Sequence, residues 1–179
     1  MPTPALDRRR CLLGLLACAA APLARGAEPP AAPPLGAPQG RVVLSISGQV
    51  GRVNAAGRAD FDLAMLAALP QRQLATRTPW HAGVQTFTGP LLRDVLAQAG
   101  ARGGTLVAVA LNDYRCEIPF DDALRFDVVL ARLHNGEPMR VRDKGPLFIV
   151  YPFDSDPQLR SDRYYARSAW QLRSLLVQP

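Results

Sequence analysis

The sequence predicts an α+β domain around a mixed or barrel-like sheet, and three observations carry that prediction. Residues 106–111 (LVAVAL) and 147–151 (LFIVY) are continuous apolar runs, the second bounded by Pro146 and Pro152. Short runs of this kind read as strands buried on both faces. Val42, Leu44 and Ile46 alternate with Val43, Ser45 and Ser47, the period of a strand with one drier face. Only two stretches carry helical periodicity, so the helices are few and short.

The first strand, 42–47, ends at Gly48, and 51–57 is turn or hairpin material. Asp60 offers a cap for a short helix through Leu63, Leu66 and Ala67, which Pro70 stops. Residues 73–88 (QLATRTPWHAGVQTFT) read as two short strands with a connecting loop, interrupted at Pro79 and Gly83. The clearest helix follows. Pro90 suits its first position, Leu91, Leu92, Val95, Leu96 and Ala99 share one face, and Gly100 suits the residue after its C-cap. Arg93, Asp94 and Gln98 point outward. Asn112, Asp113 and Tyr114 stand at the end of strand 106–111; 117–119 is a short extended piece, and 120–124 a helical turn capped by Asp121. Strand 128–133 runs into Asn135-Gly136, a strong hairpin signal that delivers the chain to a central strand at Leu147. Residues 154–163 read as a surface loop and 170–177 as the last strand.

The N-terminus has a basic start, an apolar run from Cys11 to Ala21 and small residues near Gly26, the pattern of a secretory signal peptide over 1–26. The apolar run is too short to span a bilayer. Plain cleavage near Gly26 is the first reading. Arg8-Arg9-Arg10-Cys11-Leu12 partly matches a twin-arginine signal, and Leu15-Leu16-Ala17-Cys18 partly matches a lipoprotein box acylated at Cys18. Residues 27–40 (AEPPAAPPLGAPQG) form a Pro/Ala-rich linker, leaving 41–179 as the folded domain. The expected location is periplasmic or exported.

The formal charge of +6 includes that export segment; without it 17 basic and 14 acidic residues remain, a net +3. Lys144 is the only lysine, the arginines are scattered, and no basic-aromatic stripe occurs, so a nucleic-acid partner is not expected. After cleavage only Cys116 survives, so no internal disulfide can form.

Few residues offer chemistry. His81 and His134 lie in no nucleophile signature, and no His/Cys pair has zinc-ligand spacing. His134, beside Asn135-Gly136, reads as solvent-exposed; His81 reads as a surface histidine or the lining of a pocket. Asp121-Asp122 read as the cap of a short helix. Gly103-Gly104 precedes a strand, so it is not a phosphate loop. The remaining polar groups cluster at strand ends: Asn112, Asp113 and Tyr114 after one, Arg142, Asp143 and Lys144 before another. Arg142 and Lys144 could bind an anion or form surface pairs. Trp80 and Trp170 suit core or pocket walls. Neither haem nor iron–sulfur ligands are encoded.

The segments TRTPW from Thr76, VQTFTGPLLRDVLAQAGA from Val84, VAVALNDYRCEIP from Val107, VVLARLHNGEPMRVRDKGPLFIVYP from Val128, and the terminal WQL resemble the sulfite-oxidase-type molybdopterin-binding domain. The resemblance covers roughly 41–177, and is greatest to small exported bacterial versions. It implies an α+β fold with a mixed sheet and a barrel-like portion. It also implies a molybdopterin cofactor and oxygen-atom transfer in catalytic members, with Trp80, Asn112, Tyr114, Arg142 and Lys144 lining the cofactor pocket. Two departures stand against catalysis. Catalytic relatives place a cysteine thiolate on molybdenum near the position of Thr78, where this chain has no cysteine. They also place an arginine for the pterin phosphate at the position of Phe148. A hydroxyl does not replace a soft thiolate, which argues against molybdenum. Two readings follow: a molybdopterin-binding oxidoreductase domain served by a separate electron-transfer protein, or a module of the same fold that holds a small anion or pterin, or meets a periplasmic or membrane protein, without metal.

Overall fold

A computed structural model describes residues 34–179. The signal peptide, the arginine motif at 8–12, Cys18 and the linker up to 33 lie outside the described residues. In chain order the elements are β1 Val42–Gly48, β2 Arg58–Asp62, α1 Leu63–Ala68, β3 Gln71–Thr78 and β4 His81–Pro90. Next come α2 Leu92–Gln98, β5 Thr105–Ala110, β6 Arg115–Pro119, α3 Phe120–Arg125 and β7 Val129–Ala131. The chain finishes with β8 Leu133–His134, β9 Glu137–Pro138, β10 Phe148–Val150, α4 Asp162–Arg167 and β11 Leu172–Gln178.

A five-stranded sheet has the order β2-β1-β11-β5-β6. Only its β1–β11 pair is parallel, so the sheet is mixed. A four-stranded sheet, β3-β4-β8-β9, and a two-stranded one, β10-β7, complete the architecture. All three share one apolar core: Leu44 and Ile46 of β1, Phe87 of β4, Leu130 of β7 and Ile149 of β10 are each fully buried in it. This is the α+β fold with few short helices that the apolar runs predict.

Several local expectations are corrected. Asp62, not Asp60, caps α1, its carboxylate accepting from Met65 N at 2.8 Å. Asp60 is held inside the sheet by Arg58 and the Ser45 hydroxyl, so it is not free to cap. Asp62 also accepts from Gln39 N and Gly40 N, and Leu35 is buried in the core. The described end of the linker is therefore fastened to the domain rather than held off it. Pro90 closes β4 opposite Gln71 instead of opening α2, for which Leu91 is the N-cap. Gly100 does follow α2 in the left-handed region, at φ 61°. Helix α3 is capped by Pro119, without a side-chain bond from Asp121.

The expected strand 128–133 is two strands, because Arg132 N turns to Thr88 O at 2.9 Å and transfers the chain from β10 to β4. Asn135 and Gly136, at φ 50° and 86°, make the predicted hairpin between β8 and β9. Residues 147–151 are buried as expected, but the named sheet that holds β10 is two-stranded: it pairs with β7 and, through a single antiparallel bridge from Phe148 to Trp170, meets the segment ahead of β11. The central place belongs to β11, the closing strand. The expected surface loop 154–163 instead contains a short 3-10 turn, with Leu159 buried, and the start of α4.

Candidate functional site

The β3–β4 link is only Pro79-Trp80, so the chain reverses tightly and carries Trp80 onto the aromatic side of the core. Trp80 meets Phe148, Phe153, Tyr165 and Trp170 edge-on, with centroids 5.6, 6.3, 6.0 and 5.3 Å away. Edge-to-face contacts at such separations are the favoured aromatic geometry. Trp80 and Trp170 remain half-buried and form the rim of the cluster. Phe148, 0% exposed, is its floor, with Phe87 beneath at 5.7 Å.

Two histidines stand beside this rim. His81 Nδ1 is hydrogen-bonded to the Thr78 hydroxyl at 2.8 Å, and its ring lies 4.8 Å from that of His134. His134 stacks on Phe87, nearly coplanar at 5.0 Å, and its Nε2 bonds Gln85 Oε1 at 2.9 Å. The exposed histidine expected at 134 is thus half-buried, because β8 pairs with β4 and lays the ring on Phe87. Burial pushes both imidazoles below the usual histidine value, and for His81 the nearby His134 and Lys144 push the same way.

Lys144 completes the rim. Its ammonium lies 4.3 Å from the centre of the Trp170 ring, a cation–π contact. The Lys144 backbone is left-handed, at φ 70°, and its carbonyl accepts from Gln171 N at 2.9 Å. Gln171, itself at φ 54°, donates from Nε2 to Val141 O at 2.7 Å. The loop between β9 and β10 is thereby hung on the residue next to Trp170.

Of the five residues expected to line a pocket, Trp80 and Lys144 converge, through Trp170. The other three are engaged elsewhere. Arg142 is exposed and pairs with Asp143 at 3.6 Å. Asn112 Oδ1 accepts from Tyr114 N at 3.2 Å, an Asx turn closing β5 onto β6, and the Tyr114 hydroxyl donates to Ala166 O at 2.7 Å. Thr78, Trp170, Gln171 and the histidine pair are the site's other members. Of these, Trp170 and His81 are the possible pocket walls that the sequence offers, whereas nothing around Gln171 or His134 in the chain sets them apart.

A separate groove of about 900 Å³ has apolar walls that include Val42, Leu63, Leu111, Val141, Pro146 and Leu172. It reaches neither tryptophan, and Arg41, Ser45, Asp62, Arg173 and Ser174 also line it.

The donor set does not fit a molybdenum–pterin cofactor as the sulfite-oxidase resemblance would have it held. Thr78, where a thiolate is called for, is a buried hydroxyl already bonded to His81. Cys116, the free cysteine among the described residues, sits on β6 in the five-stranded sheet. Its Sγ contacts Arg167 O at 3.8 Å, and burial pushes its thiol up to about 11, Arg167 opposing more weakly. No group of three or more His, Cys, Asp or Glu among the described residues could hold a metal. Phe148, where the resemblance would place an arginine for the phosphate, is a fully buried phenyl ring of the aromatic cluster.

Comparisons with known proteins agree with the fold. The family model of the oxidoreductase molybdopterin binding domain matches residues 54–153. Among solved structures, the sulfane dehydrogenase SoxCD from Paracoccus pantotrophus superposes with a TM-score of 0.57 at 20% sequence identity. That match covers 75% of this chain and 37% of the other, so the chain spans well under half of that relative's length. No curated protein sequence matches the chain.

Proposed function

Because this chain belongs to the oxidoreductase molybdopterin binding domain family, whose model covers more than half of it, we propose that it is an exported member that has lost the metal chemistry. It keeps the fold as a ligand-binding module, read by a periplasmic or membrane partner. One observation carries this reading: the position corresponding to the relatives' phosphate-binding arginine is Phe148, fully buried under Trp80 and Trp170. The Phe148 ring itself offers no donor where the arginine would meet the phosphate, and burying an unpaired anion costs several kcal/mol or more. Thr78 supports the reading independently, since its hydroxyl is neither soft nor anionic and is already bonded to His81.

The test is to purify the protein from the periplasm of a host that makes molybdenum cofactor, then measure molybdenum by mass spectrometry and oxidised pterin by fluorescence. A folded, monodisperse sample with neither above background is the expected result. Near-stoichiometric metal would overturn the proposal and make oxygen-atom transfer to or from sulfite or sulfoxide the next assay. Pterin without metal would overturn the ligand-module reading in favour of a carrier.

A further inference from the structure

The five-stranded sheet turns only one face to the core. Leu44, Ile46, Leu106, Ala108, Leu175 and Val177 are buried there, so by strand alternation their neighbours stand on the opposite face. The register aligns those neighbours in two rows from β2 to β6. One row is Asp60, Ser45, Ser174, Val109 and Arg115; the other is Arg58, Ser47, Leu176, Val107 and Glu117. The three middle strands bring only small and apolar side chains to these rows, and Leu176 at the centre is 39% exposed. All the charge stands on the two outer strands. A charge-depleted middle inside a charged rim is the composition of a protein–protein interface.

The rim charges are ordered by sign. On β2 the first row carries the negative Asp60 and the second the positive Arg58, whereas on β6 the first carries the positive Arg115 and the second the negative Glu117. Arg58, half exposed, holds Asp60 at 2.9 Å. Arg115 and Glu117 are exposed and, among the described residues, have no ion-pair partner. Half a turn about an axis along β11, midway between two facing sheets, lays β2 of one copy over β6 of the other with the rows in register. Arg58 then faces the partner's Glu117, and Asp60, shielded by Arg58, faces the partner's Arg115. Strand β1 meets the partner's β5, so Ser45 and Ser47 lie against the partner's Val109 and the partner's Val107, small against bulky. The other in-plane axis, across the strands, would set serine on serine along β1 and valine on valine along β5, which packs less well.

We propose that this face is the interface of a two-fold homodimer, with β11 along the axis and Leu176 facing its own copy at the centre. The arrangement is aligned sheet-on-sheet packing across an isologous contact. Five strands about 4.8 Å apart span roughly 20 Å. That is a small interface, so the dimer dissociates on dilution. The proposal does not depend on whether the pocket beside Trp80 holds a cofactor.

Sedimentation velocity of the purified protein from about 1 μM to about 1 mM should show a reversible passage from monomer to dimer. Added salt should weaken it, because the rim charges are exposed. Leu176→Glu, which opposes two carboxylates on the axis, should raise the dissociation constant about tenfold or more. Its melting temperature, taken at a dilution where the unaltered protein is monomeric, should stay close to that protein's, which separates lost association from misfolding. The double variant Arg115→Glu, Glu117→Arg keeps the net charge but opposes like charges in both rows, and should weaken the dimer comparably. A monomer at every concentration, or a dimer that both variants leave intact, would overturn the proposal. Loss of the dimer in Leu176→Glu with unchanged association in the double variant would overturn the axis along β11.

Discussion

Asp122 shows how far a single residue's role can lie from its local pattern. Next to Asp121 at the start of a short helix it reads as a cap, but the helix is capped by Pro119 and Asp122 turns inward, 5% exposed. Its Oδ2 accepts from the Tyr151 hydroxyl and from Arg167 Nη1, both at 2.8 Å, and the Arg167 guanidinium lies 5.3 Å from the centre of the Tyr164 ring. Burial first, and then the Asp122 carboxylate, push the Tyr151 phenol far above its ordinary value, so it stays a neutral donor. The carboxylate joins α3, β10 and α4, and its removal strands two donors at once. Asp122→Ala should cost about 3–5 kcal/mol, the usual result of breaking a buried charged pair. Tyr151→Phe, which leaves the ion pair intact, should cost only about 1 kcal/mol. Urea unfolding of both single variants and the double variant tests this. If Asp122→Ala costs no more than Tyr151→Phe, the network is not what joins these elements.

At the scale of elements, local chemistry was legible and neighbour number was not. The alternation in β1, the Asn135-Gly136 hairpin, the apolar face of α2 and its glycine stop all occur where the residues put them, because each is fixed within a few positions along the chain. The run 147–151 correctly signalled burial on both faces, which comes from packing against the other layers, while its edges meet β7 and, by a single bridge from Phe148 to Trp170, the segment ahead of β11. Conversely β11 alternates like an edge strand and yet sits between β1 and β5, since alternation records which face is dry and not how many strands flank it. The parallel β1–β11 pair joins the two ends of the domain, a contact no short window can hold. Gly89 marks another such long-range contact, where β4 crosses β7. A Cβ there would collide with the Leu130 carbonyl, which is backbone and cannot step aside. Gly89→Ala should therefore destabilise by about 3 kcal/mol or more, as overpacking against a rigid neighbour does. Gly57, at φ 66° with open space around it, should lose only about 1 kcal/mol on the same change. Thermal unfolding of the two variants separates them, and equal losses would mean that the β4–β7 crossing yields.

For the whole molecule, the family was legible from the order of its motifs, whereas the candidate site was legible only in part. Trp80 and Lys144 meet, but they do so through Trp170, some 26 positions further along, and through a histidine pair that β8 brings to β4. Nothing near His134 in the chain announces Phe87 as its partner. The same assembly makes a prediction about the stability of the entire domain. His81 and His134 have folded-state values below the ordinary one, so on acidification the unfolded chain takes up protons that the folded chain refuses. Stability then falls as pH drops through the ordinary histidine range, and is fully present above it. Both rings are half exposed, so this limb should be shallow. A second loss lies further into acid: backbone donors from Met65, Gly40 and Gln39 hold the Asp62 carboxylate below its usual value. Its contribution is present above the ordinary aspartate range and lost as pH falls through the folded value. Melting temperature measured from pH 8 downward should thus decline in two stages. The double variant His81→Gln, His134→Gln should flatten the first stage and spare the second, because Asp62 lies in another sheet. A first stage unchanged in that variant would show that the histidine pair does not couple this site to the stability of the fold.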